Sequence, residues 1–165
     1  MNFKRMINHL WLPKRVSRTF PGPVMAAITK AIQESERQHR GELRFAVEGV
    51  LDWSRLIRDE SPEERALEVF SRLRVWDTAE NNGVLIYLLL ADHHVEIVAD
   101  RGVHQRVGAQ GWAAICHQME QDFAAGRFED GVKRGIQSVA GILIREYPAT
   151  GTPNPNELPD EPVVL

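Results

Sequence analysis

Four residues with oxygen-bearing side chains border the most apolar stretch of the chain: Asp77, Asn81, Asn82 and Asp100. Carboxylate and amide oxygens are ligands that suit a hard cation such as Mg²⁺ or Ca²⁺. Asp and Asn are equally the residues that tight turns require, because their side chains hydrogen-bond to nearby backbone. The sequence therefore offers a candidate Ca²⁺ or Mg²⁺ site and a structural alternative at the same place.

A β-hairpin would bring these residues together. Residues 84–90 are all apolar, residues 95–99 form a second apolar stretch, and a polar break separates the two. Short apolar runs bounded by turn residues favour strands over helices. A turn at Asp92-His93 would place Ala91 opposite His94, Leu85 opposite Asp100 and Gly83 opposite Gly102. The other end of the hairpin would then gather the four candidate ligands with Arg101 and His104, at the rim of a buried sheet.

The elements around the hairpin predict a sheet covered by helices. Residues 42–49 alternate between apolar and polar side chains, which predicts a half-buried strand, and the preceding helix is expected to end at Gly41. Ser61 and Glu64 form a capping box that starts another helix, with a predicted buried stripe of Ala66, Leu67, Val69, Phe70 and Leu73. Strand, helix and strand in this order predict a right-handed crossover between parallel strands. Two further helices follow the hairpin.

Other reactive side chains are interpreted as structural. Glu48 is a lone rim carboxylate at the opposite edge of the sheet from Asp77 and Asp100. On a strand, the adjacent His93 and His94 would point to opposite faces, so we interpret them as solvated turn residues. The remaining candidates are a buried thiol and three histidines without metal-ligand spacing: Cys116, His39, His104 and His117. The sequence contains no phosphate-binding loop and no nucleophile elbow.

Composition predicts one ordinary globular domain. The chain has 165 residues, of which 43% are hydrophobic and 26% charged, and a formal net charge of −3. That charge gives the whole molecule no electrostatic reason to bind nucleic acid. One cysteine excludes an intrachain disulfide and is compatible with a reducing compartment. Neither a transmembrane run nor a secretory signal is recognised, so we expect a cytoplasmic protein.

The two ends of the chain differ from its centre. Residues 1–18 contain no acid and five basic residues: Lys4, Arg5, Lys14, Arg15 and Arg18. Apolar residues recur there at helical spacing up to Pro13, which predicts an amphipathic helix that packs on the domain edge or attaches weakly to anionic lipid. Residues 148–165 are acidic and rich in proline, which predicts an extended tail, ordered where residues 163–165 find a groove. Residues 19–147 remain as the globular domain.

The central run VFSRLRVWDTAENNGVLIYLLLADHHVEIVADRGV, followed by FAAGRFEDGVKRGIQSVAGIL, resembles the TPM-domain family. The segment AIQESERQHRGELRFAVEG is similar to the opening helix and strand of its bacterial cytoplasmic branch. The resemblance covers roughly residues 20–147. It implies a three-layer α/β/α sandwich on a small, mostly parallel sheet with one antiparallel hairpin strand.

The resemblance implies a less acidic rim than in other members. They often carry Asp-Asn-Gly where this chain has Asn81-Asn82-Gly83, and Gly-Tyr-Gly-Leu-Glu where it has residues 100–104. A further acidic position falls at Ala109. Asp100 adds one carboxylate, but Arg101 beside it opposes cation binding. Because a Ca²⁺ site usually takes six to eight oxygens, we expect weaker metal binding here.

Two functions follow as hypotheses, because family members are described both as acid phosphatases or cation binders and as assembly or repair factors for membrane complexes. The first hypothesis is a non-catalytic TPM-like binding module that serves a protein partner near the membrane. The second is a divalent-cation-dependent phosphatase with a metal bound by Asp77, Asn82 and Asp100. A phosphatase would need a nucleophile or a metal-held water, and the sequence identifies neither.

Overall fold

The structure is a computed structural model that describes His9, residues 15–151 and residues 155–165. The described part contains six helices and four strands. In chain order they are α1 (Arg15–Thr19), α2 (Gly22–Glu36), β1 (Glu42–Glu48), α3 (Trp53–Ile57), α4 (Pro62–Arg72), β2 (Gly83–Leu89), β3 (His94–Ala99), α5 (Arg101–Ala124), α6 (Phe128–Glu146) and β4 (Val163–Val164). No helix among these residues is long and apolar enough to span a bilayer.

The four strands form one mixed sheet in the order β3-β2-β1-β4. Strand β1 is parallel to β2 and to β4, whereas β2 and β3 are antiparallel. Helix α4 connects β1 to its parallel neighbour β2, as the crossover prediction requires. The predicted α/β fold, with a mostly parallel sheet and one antiparallel hairpin strand, is confirmed.

Helices cover both faces of the sheet and make a three-layer sandwich. The larger core lies between the sheet and helices α2, α5 and α6, with Phe45, Ile86 and Met119 among its fully buried side chains. The smaller core lies on the other face, where α3, α4 and the C-terminal segment pack around Tyr87 and Leu158. Because both faces are covered, every residue of β2 is buried and apolar, which is typical of a central parallel strand.

Helix α4 begins as its sequence predicts. The Ser61 hydroxyl accepts a hydrogen bond from the Glu64 amide, and the Glu64 carboxylate accepts one from the Ser61 amide. Ala66 and Val69 are buried and Phe70 and Leu73 are partly buried. The inclusion of Leu67 in the buried stripe is wrong, because 52% of this residue is exposed.

The predicted hairpin forms, but its register differs from the prediction by two residues. Leu85 pairs with Val98 rather than Asp100, and Leu89 with His94 closes the ladder. The loop therefore has four residues, 90–93, and His93 takes the left-handed conformation with φ 50°. A shift of two residues leaves every side chain on the same face of the sheet, so the hydrophobic pattern cannot distinguish the two registers.

Strand β3 ends with the apolar stretch, although the predicted pairings continued to Gly102. It stops at Ala99, and Asp100 is the N-cap of helix α5, its carboxylate accepting a hydrogen bond from the Arg101 amide at 2.5 Å. The Asp100 amide in turn donates to the Gly83 carbonyl oxygen at 2.8 Å. The predicted pairing of Gly83 with Gly102 is therefore wrong. The strand ends before Asp100, which caps helix α5, and Gly102 lies inside that helix.

Strand β1 is buried on both faces, which corrects the prediction of a half-buried strand. Its polar face is covered by α4 and by the C-terminal segment. Glu48 is accordingly not a lone rim carboxylate: Arg65 donates to both of its oxygens, at 2.8 and 3.0 Å, and the Tyr87 hydroxyl donates at 2.7 Å. Helix α2 ends at Glu36, five residues before the predicted stop at Gly41.

The chain ends are only partly described. Residues 155–165 pack on the domain, where β4 pairs with Ala46 and Val47 of β1 and the Leu165 amide donates to the Val47 carbonyl oxygen. Apart from His9, the predicted amphipathic helix up to Pro13 lies outside the described residues, as do Lys4, Arg5 and Lys14. Arg15 opens α1, and Arg18 is exposed on it.

Candidate functional site

An open cleft lies where β2 begins and helix α5 starts, at the sheet edge that the sequence indicates. Its volume is about 760 Å³. We call it the edge cleft and define it by the residues that line it: Trp76, Glu80, Asn81, Asp100, Arg101, Gly102, Gln105, Arg106 and Tyr147. Two of the four predicted ligands, Asn81 and Asp100, are among them. Asn82 and Asp77 are not.

Asn82 does not line the cleft but forms hydrogen bonds with two neighbouring turns. It is 1% exposed, its amide nitrogen Nδ2 donates to the Arg40 carbonyl oxygen at 2.7 Å, and its backbone amide donates to the Thr78 hydroxyl at 3.1 Å. The amide oxygen Oδ1 has no hydrogen-bond partner among the described residues. Asn82 therefore joins the turn before β2 to the turn before β1.

Of the other three predicted ligands, Asn81 and Asp100 line the edge cleft and Asp77 does not. Asn81 occupies a left-handed turn position with φ 52°, which Asn tolerates better than most residues. Asp100 caps α5 with one oxygen, and its buried Oδ2 has no partner within the described part of the chain. Asp77 is exposed. Among the described residues, no group of three or more His, Cys, Asp or Glu side chains could hold a metal ion.

Three side chains on the cleft, Trp76, Arg106 and Tyr147, were not identified as site residues from the sequence, whereas Arg101 was. Trp76 is 50% exposed. The Arg106 guanidinium lies over the Tyr147 ring, 4.7 Å from its centroid, and also donates to the Glu146 carbonyl oxygen at 2.8 Å. The stack fixes a long side chain that would otherwise be mobile. Arg106 and Tyr147 are far apart in sequence, and no local motif connects them.

Gly102 sets the width of the cleft. A Cβ atom at this position would lie 2.5 Å from the Asn81 carbonyl oxygen and 2.9 Å from the Tyr147 hydroxyl. We expect Gly102→Ala to destabilise the protein by about 1–3 kcal/mol, because backbone must move to admit the methyl group. Urea unfolding measures the change.

Gly141→Ala is the matched control for Gly102→Ala. Gly141 lies inside helix α6, and a Cβ there meets no atom within 4 Å. Alanine should therefore stabilise this helix, by about 0.5–1 kcal/mol. Equal effects of the two substitutions would contradict a steric role for Gly102.

The hairpin histidines are not simply solvated, which corrects the sequence interpretation. His94 joins strand β3 to helix α5: Nε2 lies 2.7 Å from Glu96 and Nδ1 lies 3.0 Å from Glu120. The hydrogen bond with Glu96 raises the pKa of His94. The His93 ring packs edge-on against Phe128, with 5.6 Å between centroids. Burial raises the pKa of the Cys116 thiol to about 12, as its interpretation as an inert core residue implies.

A second pocket, of about 740 Å³, lies between the turn before β1 and the C-terminal segment. We call it the acid pocket, after three of its lining residues: Glu36, Glu42 and Asp160. Sequence reasoning missed it, because Asp160 is brought to β1 only when the C-terminal segment docks. The Glu42 carboxylate accepts hydrogen bonds from the amides of Glu157 and Leu158, at 3.2 and 3.0 Å. The only sequence feature that could have indicated this pocket is the presence of polar residues at alternate positions of β1.

The fold and its edge cleft define a class of α/β/α sandwich domains built on a four-stranded mixed sheet. Residues 19–142 match the family model described as the TPM domain. Since this match spans most of the chain, the protein belongs to the TPM domain family, as its sequence motifs indicate. No curated protein matches the chain.

Two of the solved structures that share the fold illustrate the likeness. One is the NMR structure of the BA42 protein from the psychrophilic bacterium Bizionia argentinensis, with 26% identity and a TM-score of 0.77, covering 88% of this chain and 95% of that one. The other is the N-terminal domain of a protein from P. gingivalis, with 18% identity and a TM-score of 0.61, covering 79% and 82%. The second likeness concerns the fold alone.

Proposed function

We propose that this TPM domain is a non-catalytic binding module that holds a protein partner at the edge cleft. The observation that carries the proposal is the half-exposed Trp76 beside Arg106 and Tyr147. Trp, Tyr and Arg dominate the binding energy of protein interfaces, where they fill pockets and exclude water. Arg106 is held over the Tyr147 ring before any partner arrives, which lowers the entropy lost on binding.

The bonds of the predicted ligands support a structural role for them. The Asp100 carboxylate binds the first amide of α5, and the Asn82 amide binds the Arg40 carbonyl oxygen. A side chain that caps a helix or joins two turns by a hydrogen bond would lose that hydrogen bond if it moved to contact a substrate. These residues therefore shape the cleft rather than react in it.

The alternative, a divalent-cation-dependent phosphatase, is favoured by one observation. The buried oxygens Asp100 Oδ2 and Asn82 Oδ1 lack partners among the described residues, and such orphan oxygens are potential cation ligands. Two oxygens fall short of the six to eight that Ca²⁺ takes. Asp77, the third ligand in this hypothesis, does not line the cleft. The described side chains at the cleft therefore supply fewer oxygens than a Ca²⁺ ion takes, whereas Mg²⁺ keeps several waters and needs only one or two carboxylates.

Two substitutions in the cleft test the proposal. Trp76→Ala should leave the free energy of unfolding within about 0.5 kcal/mol, because the side chain is half exposed, yet weaken capture of the partner by tenfold or more. Affinity capture from cells with wild-type and variant baits compares the two. Asp100→Ala serves in a parallel assay of phosphomonoester hydrolysis with Mg²⁺, Mn²⁺ or Ca²⁺. Metal-dependent turnover that Asp100→Ala abolishes would replace the binding module with the phosphatase.

We further propose a cytoplasmic location near the membrane, with weak lipid attachment through Lys4, Arg5, Lys14, Arg15 and Arg18. Support comes from charge, because each basic residue at an anionic surface contributes about 1 kcal/mol. Buried His9 accepts a hydrogen bond from the Leu51 amide at 2.9 Å and contacts Asp92 at 3.0 Å, so at this residue the segment packs on the domain.

Sedimentation with phosphatidylserine vesicles tests the lipid attachment. We expect binding at low salt that is lost at physiological salt, because screening shortens the range of the attraction. Replacement of the five basic residues by glutamine is the variant to compare, since it retains His9. Equal sedimentation of that variant would exclude the attachment.

A further inference from the structure

The acid pocket contains buried hydrogen-bond acceptors that lack donors. Glu42 is fully buried, and its Oε1 has no partner among the described residues. His39 is also fully buried, and one ring N–H donates to the Gly41 carbonyl oxygen. The other ring nitrogen has no hydrogen-bond partner within the same part of the chain. Burial lowers the pKa of His39 to about 4. The ring is therefore neutral at pH 7 and offers one nitrogen as an acceptor. Unpaired buried acceptors indicate a missing group with N–H or O–H donors.

The same pocket concentrates negative charge. Burial raises the pKa of Glu36 to about 9, and the charges of Glu42 and Asp160 act in the same direction. Burial also raises the pKa of Glu42. At neutral pH the cluster therefore retains a proton. Since a proton and a cation are attracted by the same carboxylates, a bound cation would displace that proton.

The basic residues nearby do not satisfy the pocket. Arg40 lines it but is paired with Glu80, which lines the edge cleft, so this ion pair lies between the two sites. Arg44 of β1 is buried in the field of the cluster, yet its Nε and Nη1 atoms make no hydrogen bond to the described residues. The other charged groups are an exposed arginine at the rim and two acids of the C-terminal segment: Arg37, Glu157 and Glu161.

The geometry of the carboxylates selects the kind of cation. A metal ion needs ligand atoms that converge at one point, and no three acidic, histidine or cysteine side chains of the described residues do so. A guanidinium group instead presents five N–H donors spread over a rigid plane and binds carboxylates in pairs. The open volume of about 740 Å³ is ample for a group of this size.

We propose that the acid pocket binds a guanidinium group through Glu36, Glu42 and Asp160, with neutral His39 accepting a further N–H. Binding displaces the proton shared by the carboxyl groups. The guanidinium belongs either to a small molecule or to an arginine side chain of a partner protein, since both offer the same donors. The proposal is independent of the edge cleft and of what that cleft binds.

NMR titration of the full chain with agmatine tests the proposal. The expected readout is a set of backbone amides that report on the carboxylates: Leu43, which donates to Glu36, and Glu157 and Leu158, which donate to Glu42. Affinity should rise up to about tenfold per pH unit between roughly pH 6.5 and 8.5, because one proton is released. Agmatine itself keeps its guanidinium charge throughout. A parallel titration with Gly-Arg-Gly shows which source binds more tightly.

Variants and control ions keep the test specific. Glu36→Gln should weaken agmatine binding at least tenfold, whereas Glu34→Gln, an exposed acid on the same helix, should not change it. Tetramethylammonium, which has the charge but no N–H donor, should not shift the three amides. The proposal is overturned by a response to agmatine that is absent, independent of pH or equal in Glu36→Gln. An equal response to tetramethylammonium or Ca²⁺ would also overturn it.

Discussion

Arg65→Ala is expected to destabilise the protein by about 3–5 kcal/mol, because it leaves the Glu48 carboxylate buried without its counter-ion. Only 5% of the Arg65 side chain and 7% of the Glu48 side chain are exposed. Their double hydrogen bond joins helix α4 to the end of β1, and the Tyr87 hydroxyl donates to the same carboxylate from β2. Loss of Arg65 therefore affects two strands and a helix at once.

Denaturant unfolding of three further variants separates the causes of this effect. Arg72→Ala, at an exposed position of the same helix, should cost no more than about 0.5 kcal/mol. Tyr87→Phe removes one donor and should cost about 1–2 kcal/mol. The double change Glu48→Leu with Arg65→Met should recover most of the lost stability, since apolar residues of similar volume often replace a buried ion pair without cost. If Arg65→Ala costs less than 1 kcal/mol, the pair is solvated.

The topology could be predicted because its determinants are local. The capping box at Ser61, the apolar run of β2 and the helical stripes each specify one element, and the crossover rule then makes β1 and β2 parallel. The chain order of these elements is also what the family resemblance rests on. Agreement between local signals and the whole fold is expected of a natural sequence.

The errors arose where partners are distant in sequence. The hairpin register depends on the length of a loop, and a four-residue loop satisfies the same hydrophobic pattern as a two-residue turn. Strand β1 was predicted half-buried because Glu42, Arg44 and Glu48 suggested a solvated face. That face is covered by Arg65 of α4 and by the C-terminal segment, and neither contact leaves a local signal in β1.

The sequence indicated that Asn81 and Asp100 lie near each other, but not the bonds that they make. Asn81 and Asp100 do lie at one edge of the sheet, because they adjoin the paired ends of β2 and β3. The sequence cannot show that Asp100 serves as a helix cap, since that depends on where β3 stops. Trp76 and Arg106 reach the same cleft through tertiary packing. The sequence therefore suggested a metal site at this end of the sheet. The structure shows that aromatic and basic side chains also lie there.

Protonation of Glu36 makes the stability of the protein depend on pH. Its pKa is about 9 in the folded protein, raised by burial, against an ordinary value of 4.5. The unfolded chain therefore releases this proton at lower pH than the folded protein does. The stabilising contribution is complete below about pH 4.5 and decreases as pH rises to about 9. The Glu36 carboxyl group hydrogen-bonds to Asp160. Ionisation of Glu36 should therefore weaken the packing of the C-terminal segment on the domain.

Glu36→Gln should remove this dependence and raise the melting temperature at pH 8. A glutamine keeps the acceptor for the Leu43 amide and donates to the Asp160 carboxylate without a charge to desolvate. A gain of about 2–5 kcal/mol, or roughly 4–20 °C, is expected at pH 8 and none at pH 4.5. Thermal unfolding at several pH values measures it, with Glu34→Gln as the exposed control. A gain of the same size at both pH values would show that the pKa of Glu36 is the same in the folded and the unfolded protein.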